Sequence, residues 1–275
     1  MIELHSHSTA SDGDLDPADL VAYARAAGIT TLALTDHDTV DGLDAAVAAG
    51  QQNGVEVLPG IELTVGVPHG SMHLLAYLPS TTPAGLQERL AELRRMREER
   101  IRDIVGRLDE LGAPVSWESV AGRTGGTLGR PHVAAALIDA GHVASRKEAF
   151  DVWLADGRPA HVPQRGLDPR EAVGLVRECG GCPVLAHPAS LALPVRHLSS
   201  FVQQLGAWGL AGIEVHRPEH RPEQRDAYAR IAKRLHLIPC GGSDFHRPGG
   251  PFAIGDTGVP GLPPGSVGRI RDELR

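Results

Sequence analysis

The sequence has no Gly-x-Ser-x-Gly elbow and no Gly-rich loop ending in Lys-Ser or Lys-Thr. Neither an α/β-hydrolase nucleophile nor a P-loop is therefore on offer. Cysteine is scarce: Cys179, Cys182 and Cys240 are an odd number, which argues against a disulfide framework. Cys179-Gly180-Gly181-Cys182 lacks the second pair that a four-cysteine zinc site needs, so these read as structural thiols beside a strand. No segment approaches the roughly 18 unbroken apolar residues of a membrane span. The start lacks the basic-then-apolar pattern of a signal peptide, so a cytoplasmic protein without a membrane partner is expected. A formal charge of -7 argues against broad attraction to nucleic acid, and no stable complex with a large nucleic acid is expected. Any phosphate site must be a local basic pocket.

What the chain does have is histidine, 14 of them in 275 residues, and many stand at the ends of apolar runs. Hydrophobic content of 41% and charged content of 22% are ordinary for a globular chain of this length. Strand-like runs at Ile2 to His5, Ile29 to Thr35, Val55 to Glu62 and Met72 to Leu78 alternate with helical segments. The first helix runs from Pro17 to Ala27, with Asp16 as N-cap and Gly28 as stop. The second runs from Asp41 to Ala49. This alternation implies parallel strands with covering helices.

From about Ser80 the rhythm changes. Leu86, Leu90, Leu93, Ile101, Ile104, Leu108 and Leu111 mark one face of a long helix whose Glu- and Arg-rich face reads as solvated. Short helical pieces follow, with a Gly-rich turn from Gly122 to Gly129. Strands resume at Pro183 to His187, Gly212 to His216 and Leu237 to Gly241. Residues 81–180 are accordingly expected to form a helical insertion acting as a substrate lid, with 1–80 and 181–275 building one α/β barrel.

In parallel α/β barrels the functional groups cluster at the carboxyl ends of the strands. His5 and His7 end the first strand, His37 the second, Glu62 the third, His73 the fourth and His187 the next after the insertion. Asp244 and His246 close the last. Mixed imidazole and carboxylate donors suit divalent transition metals, which acidify bound water and neutralise charge on a transferring phosphoryl group.

His5-Ser6-His7, Asp12, Thr35-Asp36-His37-Asp38, Gly60-Ile61-Glu62, Leu185-Ala186-His187-Pro188 and Gly242-Ser243-Asp244-Phe245-His246 stand in an order and spacing that resembles the PHP (polymerase and histidinol phosphatase) family. The closer likeness is to its stand-alone nucleoside 3',5'-bisphosphate phosphatase and 5'-3' exoribonuclease-like subgroup. The resemblance implies a distorted (β/α)7 TIM-like barrel holding three divalent metal ions. One ion would take His5, His7, Glu62 and Asp244, a second Asp12, His37 and His246, and a third Glu62, His73 and His187. Asp12 departs from members with His at that place, and its oxygen favours Mn²⁺, with Fe and Zn²⁺ as rivals.

The resemblance further implies a phosphoesterase acting on a small phosphorylated nucleotide or a short oligoribonucleotide. The favoured reaction is removal of the 3'-phosphate of a 3',5'-bisphosphonucleotide by metal-bound hydroxide, with Glu62 and Asp244 in the catalytic centre. Arg130 and His132, at the start of a helix in the insertion, are candidates for holding substrate phosphate. His216, at a strand end, could protonate the leaving oxygen, orient a phosphate or bind metal. The alternatives are a histidinol-phosphate phosphatase and a non-catalytic or polymerase-associated PHP module. An amidohydrolase-type centre bridged by carboxylated lysine is disfavoured, because Lys147 and Lys233 both fall in helical segments.

Overall fold

The structure, a computed structural model, describes residues 1–123 and 126–275. Thr124 and Gly125, inside the Gly-rich turn expected at 122–129, lie outside the described residues.

Seven strands are hydrogen-bonded in chain order: β1 (Ile2–Ser6), β2 (Thr31–Leu34), β3 (Glu56–Val65), β4 (Met72–Tyr77), β5 (Cys182–Leu185), β6 (Gly212–His216) and β7 (Ile238–Gly241). β1 meets the segment after β7: the Phe245 amide donates to the His5 carbonyl at 3.2 Å, and the His7 amide donates to the Phe245 carbonyl at 2.8 Å. The result is a nearly closed, distorted TIM-like barrel. The all-parallel expectation fails at one strand, because β4 runs antiparallel to both β3 and β5. The link from β3 to β4 spans only residues 66–71, too short for the crossover helix that a parallel pair requires.

Helices cover the outside where the sequence places caps and stops. Helix α1 (Pro17–Ala26) starts at Asp16, whose carboxylate accepts the Ala18 amide at 3.1 Å, and Gly28 follows its end at φ 83°. Along β6, Ile213 and Val215 face the outer layer, where they pack with α8 (Val195–Ala207) and α9 (Pro222–Arg234), each such burial contributing about 1.5–3 kcal/mol. Glu214, between them, faces the barrel interior by the two-residue period of a strand. One end of the interior is apolar, filled by Leu4, Ala33, Leu75, Val184 and Ile238 and closed by α10 (Pro264–Glu273) through Val267 and Ile270. The other end is lined by histidines and carboxylates.

The long helix α3 (Gln87–Glu110) serves two cores. Leu90 and Leu93 pack on the barrel, whereas Ile101, Ile104 and Leu108 belong to a separate cluster with Val133, Leu137 and Leu154. That second core runs from Ile101 to Ala160, narrower than the 81–180 insertion the sequence suggests. Helix α7 (Pro169–Glu178), within that range, packs on the barrel through Ala172, Val173 and Val176. The polar face of α3 is also not wholly solvated, since Arg97 and Arg100 are buried. Arg97 pairs with the buried Asp38 and donates to Thr64 Oγ1 at 2.8 Å. No helix among the described residues is long and apolar enough to cross a membrane.

Candidate metal centre

Eight of the nine residues expected as ligands on strand ends or by resemblance converge in three overlapping groups. His5, His7, Glu62 and Asp244 form one, His7, Asp12, His37 and His246 another, and His37, Glu62 and His73 a third. The donor atoms in each lie within 4.8 Å of one another. The ninth, His187, joins through Nε2, which lies 2.8 Å from Glu62 Oε1 and 3.2 Å from His73 Nδ1. Glu62 is the hub, with His5, His7, His37, His73 and His187 all within 3.3 Å of its carboxylate.

Whether this set suits cations can be judged from its own atoms. His5 Nε2, His7 Nδ1 and His37 Nδ1 are buried and have no hydrogen-bond partner. Orphaned buried imidazole nitrogens are costly unless something accepts their lone pairs. His5 Nε2 lies 3.3 Å from both Glu62 and Asp244, His37 Nδ1 3.1 Å from Glu62 and His7 Nδ1 3.8 Å from Asp12, carboxylate neighbours of the kind a divalent cation would share. Burial opposes charge on Glu62, Asp12 and Asp244, but surrounding histidines, with Arg217 beside Asp244, hold all three well below the usual carboxylate range. Burial keeps His37 and His73 below the ordinary imidazole value. Burial also disfavours charge on His5, His7 and His246, but the carboxylates facing them raise the pKa of all three, so a cation must displace their protons. The ionised carboxylates and neutral His37 and His73 already stand in the states that ligate metal.

The second nitrogen of most of the clustered histidines is held in turn, which fixes ring orientation. His5 Nδ1 lies 3.0 Å from Glu214 Oε1, His187 Nδ1 2.9 Å from Ser190 Oγ, and His246 Nδ1 2.7 Å from the Asp244 carbonyl. His73 Nε2 lies 3.0 Å from the Gln164 amide. The loops are pinned by buried carboxylates. Glu3 accepts the Ser243 amide at 3.0 Å and its hydroxyl at 2.5 Å, fixing the residue before Asp244. Asp36 accepts the Ser8 amide at 2.7 Å and the Ser11 hydroxyl at 2.6 Å, fixing the loop that carries Asp12. Burial raises the pKa of Glu3 and of Asp36 despite these bonds. Asp244 and His187 themselves sit in left-handed backbone at φ 55° and 24°.

Two residues that the sequence reading passed over complete the centre. Glu214 accepts the His187 amide at 2.6 Å through Oε2 while holding His5 through Oε1. Burial opposes its charge, but Arg217 and His5 bring it down to about 2. Arg217, 1% exposed, donates to Glu214 at 3.2 Å, to Glu219 at 3.1 Å and to Asp244 at 3.1 Å. The available signal was an acid inside an apolar strand, one pleat below a strand-end histidine.

The expected substrate residues sit differently. His216 makes no hydrogen bond, ion pair or ring contact with the clustered residues among the described residues; it is half-buried near Arg225, with Nδ1 unpartnered. A register irregularity between Glu214 and His216 separates it from the inward-facing series. Arg130, first residue of α5 (Arg130–Asp139), donates to the Leu154 carbonyl at 3.1 Å and to Asp156 at 3.0 Å, and its guanidinium lies 5.7 Å from the Phe150 ring centroid. It is thereby engaged within the insertion. His132 accepts the Gly129 amide through Nδ1 at 2.9 Å, capping α5, and lines a cavity of about 380 Å³ with Asp12 and Arg146. A larger cleft of about 780 Å³ opens on Asp12, Asp244 and His246, between the insertion and the segment after β7.

The PHP domain family matches residues 3–111. A 5'-3' exoribonuclease from Haemophilus influenzae is 32% identical over 92% of this chain and 92% of its own length. A 3',5'-nucleoside bisphosphate phosphatase from Chromobacterium violaceum is 32% identical over 90% of this chain and 88% of its own. A structure from Bifidobacterium adolescentis, described as a candidate metal-dependent phosphoesterase, superposes with a TM-score of 0.90 at 30% identity, covering 99% of this chain and 96% of that one. With this fold, these clustered histidines and carboxylates and relatives matched over most of their length, the chain belongs to the PHP domain family and is a metal-dependent phosphoesterase of it.

Proposed function

We propose that the protein removes the 3'-phosphate from nucleoside 3',5'-bisphosphates and trims short RNA from the 5' end. The convergence of Glu62 with five histidines carries the phosphohydrolase part of this reading. The substrate class is supported by the bisphosphate phosphatase and exoribonuclease names of its relatives. In this reading three ions would be held, one by His5, His7, Glu62 and Asp244, one by Asp12, His37 and His246, and one by Glu62, His73 and His187, a division supported by the overlap of the clustered donors around Glu62. The carboxylate oxygen of Asp12 favours Mn²⁺ at the second position over Zn²⁺ or Fe. When bound, such ions supply Lewis-acid charge for the phosphoryl group and lower the pKa of water.

The chain's own residues do the rest. Glu214 and Arg217 lock His5 and Asp244 in place, and Glu3 and Asp36 fix the loops that present Asp244 and Asp12. The insertion acts as the lid, a reading supported by the Gly129 backbone, where an added Cβ would come within 3.1 Å of Asp12 Oδ2. Neither His216 nor Arg130 has a part in this scheme. The test is phosphate release from adenosine 3',5'-bisphosphate by Mn²⁺-loaded protein, with histidinol phosphate alongside. Formation of 5'-AMP supports the proposal; formation of 3'-AMP, or faster turnover of histidinol phosphate, refutes it.

A further inference from the structure

The cleft above the metal centre holds four cations among its described lining residues, and three are already engaged. Arg146 pairs with Asp14 at 3.0 Å, Lys147 with Asp151, and Arg217 with Glu214, Glu219 and Asp244. Arg247 is half-buried, adjoins His246 in sequence, and has no carboxylate or side-chain hydrogen-bond partner among the described residues. A guanidinium left unpaired at the wall of a site built for phosphoryl groups is matched to a second anionic oxygen cluster. Across the same cleft, Phe150 and Pro131 of the insertion stand with Phe252 and Pro251 of the segment after β7, all lining it. Paired aromatic and prolyl faces beside a guanidinium suit a flat heterocycle that carries a phosphate.

We infer that this cleft seats the non-reacting half of the substrate, with Arg247 binding the 5'-phosphate and Phe150 and Phe252 flanking the nucleobase. The inference rests on the proposed nucleotide phosphatase reading and names the residues that would make it selective for a bisphosphate. Arg247 follows His246 directly and lines the same cleft as Asp12, Asp244 and His246, which places both anion-binding elements on one cavity. Arg130, turned to Leu154 and Asp156, is not required.

Two measurements test this. In kinetics with Mn²⁺-loaded protein, Arg247→Ala should lower kcat/KM for adenosine 3',5'-bisphosphate about ten- to hundredfold, the usual worth of a charge-assisted contact, chiefly through KM. Its kcat/KM for adenosine 3'-phosphate, which lacks the 5'-phosphate, should stay within about twofold of wild type. In equilibrium binding to chelator-treated protein, 5'-AMP should bind wild type more tightly than adenosine does, and Arg247→Ala should erase that preference. Phe150→Ala or Phe252→Ala should weaken 5'-AMP about five- to hundredfold while leaving ribose 5-phosphate unchanged. Equal losses on the bisphosphate and the 3'-phosphate, or an intact 5'-AMP preference in Arg247→Ala, would overturn the inference. Absence of nucleotide turnover by wild type would instead defeat the proposed function, while 5'-AMP binding would still decide on the cleft.

Discussion

Replacing Arg217 by Met would remove the positive charge that three carboxylates share. Glu214 is fully buried and Arg217 is 1% exposed, so the pair lies outside the range where solvent screening makes ion pairs cheap. Removing one member of a buried pair typically costs about 3–5 kcal/mol, because the partner is left charged and unpaired. At roughly 2–4 °C per kcal/mol for a chain of this size, Tm should fall by about 6–20 °C in metal-free protein. The folded pKa of Glu214, about 2 against an ordinary 4.5, sets the pH window. Its contribution is fully present above about 4.5 and is lost as pH falls toward 2, so the penalty of the variant should shrink on acidification. Saturating Mn²⁺ should also shrink it, since cations on Asp244 and His5 supply charge where the guanidinium was. Arg217→Lys should recover only part, because an ammonium cannot fork between Glu214 and Asp244. Differential scanning fluorimetry with and without Mn²⁺ reads all of this. A Tm loss below about 2 °C, or the same loss with and without metal, would refute the view that Arg217 balances the charge of the centre.

Two further outcomes follow from the same electrostatics. Burial disfavours charge on His7, but Asp244 and Glu62 outweigh it and raise its pKa to about 10, so metal-free protein at pH 7.5 holds a proton that a cation must displace. Calorimetric titration with Mn²⁺ in buffers of different ionisation enthalpy should therefore report release of about one proton or more, and a zero slope would contradict it. Burial pushes the Cys182 thiol up to about 12 and Cys240 well above its ordinary value, whereas Cys179 is only half-buried, its thiol donating to the Ala84 carbonyl at 3.2 Å. A disulfide reagent at pH 8 should titrate Cys179 alone in the native protein and all three thiols in guanidinium; fast reaction of Cys182 would revive a redox role for the Cys179/Cys182 pair.

The residues that cluster at the candidate centre were legible because most stand where an apolar run stops, a position that the barrel converts into one rim. His5, His37, Glu62 and Asp244 could be found by that rule alone, and Asp12 only by family likeness. The antiparallel direction of β4 was not legible from composition, since Met72–Tyr77 is as apolar as its parallel neighbours and only the short 66–71 link betrays it. Glu214 was hidden because Ile213 and Val215 make the strand read as continuous core, and His216 at its end is the more conspicuous metal-type residue. Arg130 looked like a phosphate donor because it opens a helix. Which way its side chain turns was set by Asp156 and Leu154, more than twenty residues away, and local pattern cannot report that. The insertion boundary was blurred for a similar reason, α3 being one unbroken amphipathic helix that packs on both cores.

The most direct test of the metal centre is anomalous diffraction at the manganese edge from crystals grown with Mn²⁺. Peaks within coordination distance of both Glu62 oxygens, with His5, His7 and Asp244 on one side and His73 and His187 on the other, are the predicted result, and a further peak belongs among Asp12, His37 and His246. Manganese found elsewhere, or a Glu62 carboxylate with no peak beside it, would contradict the account.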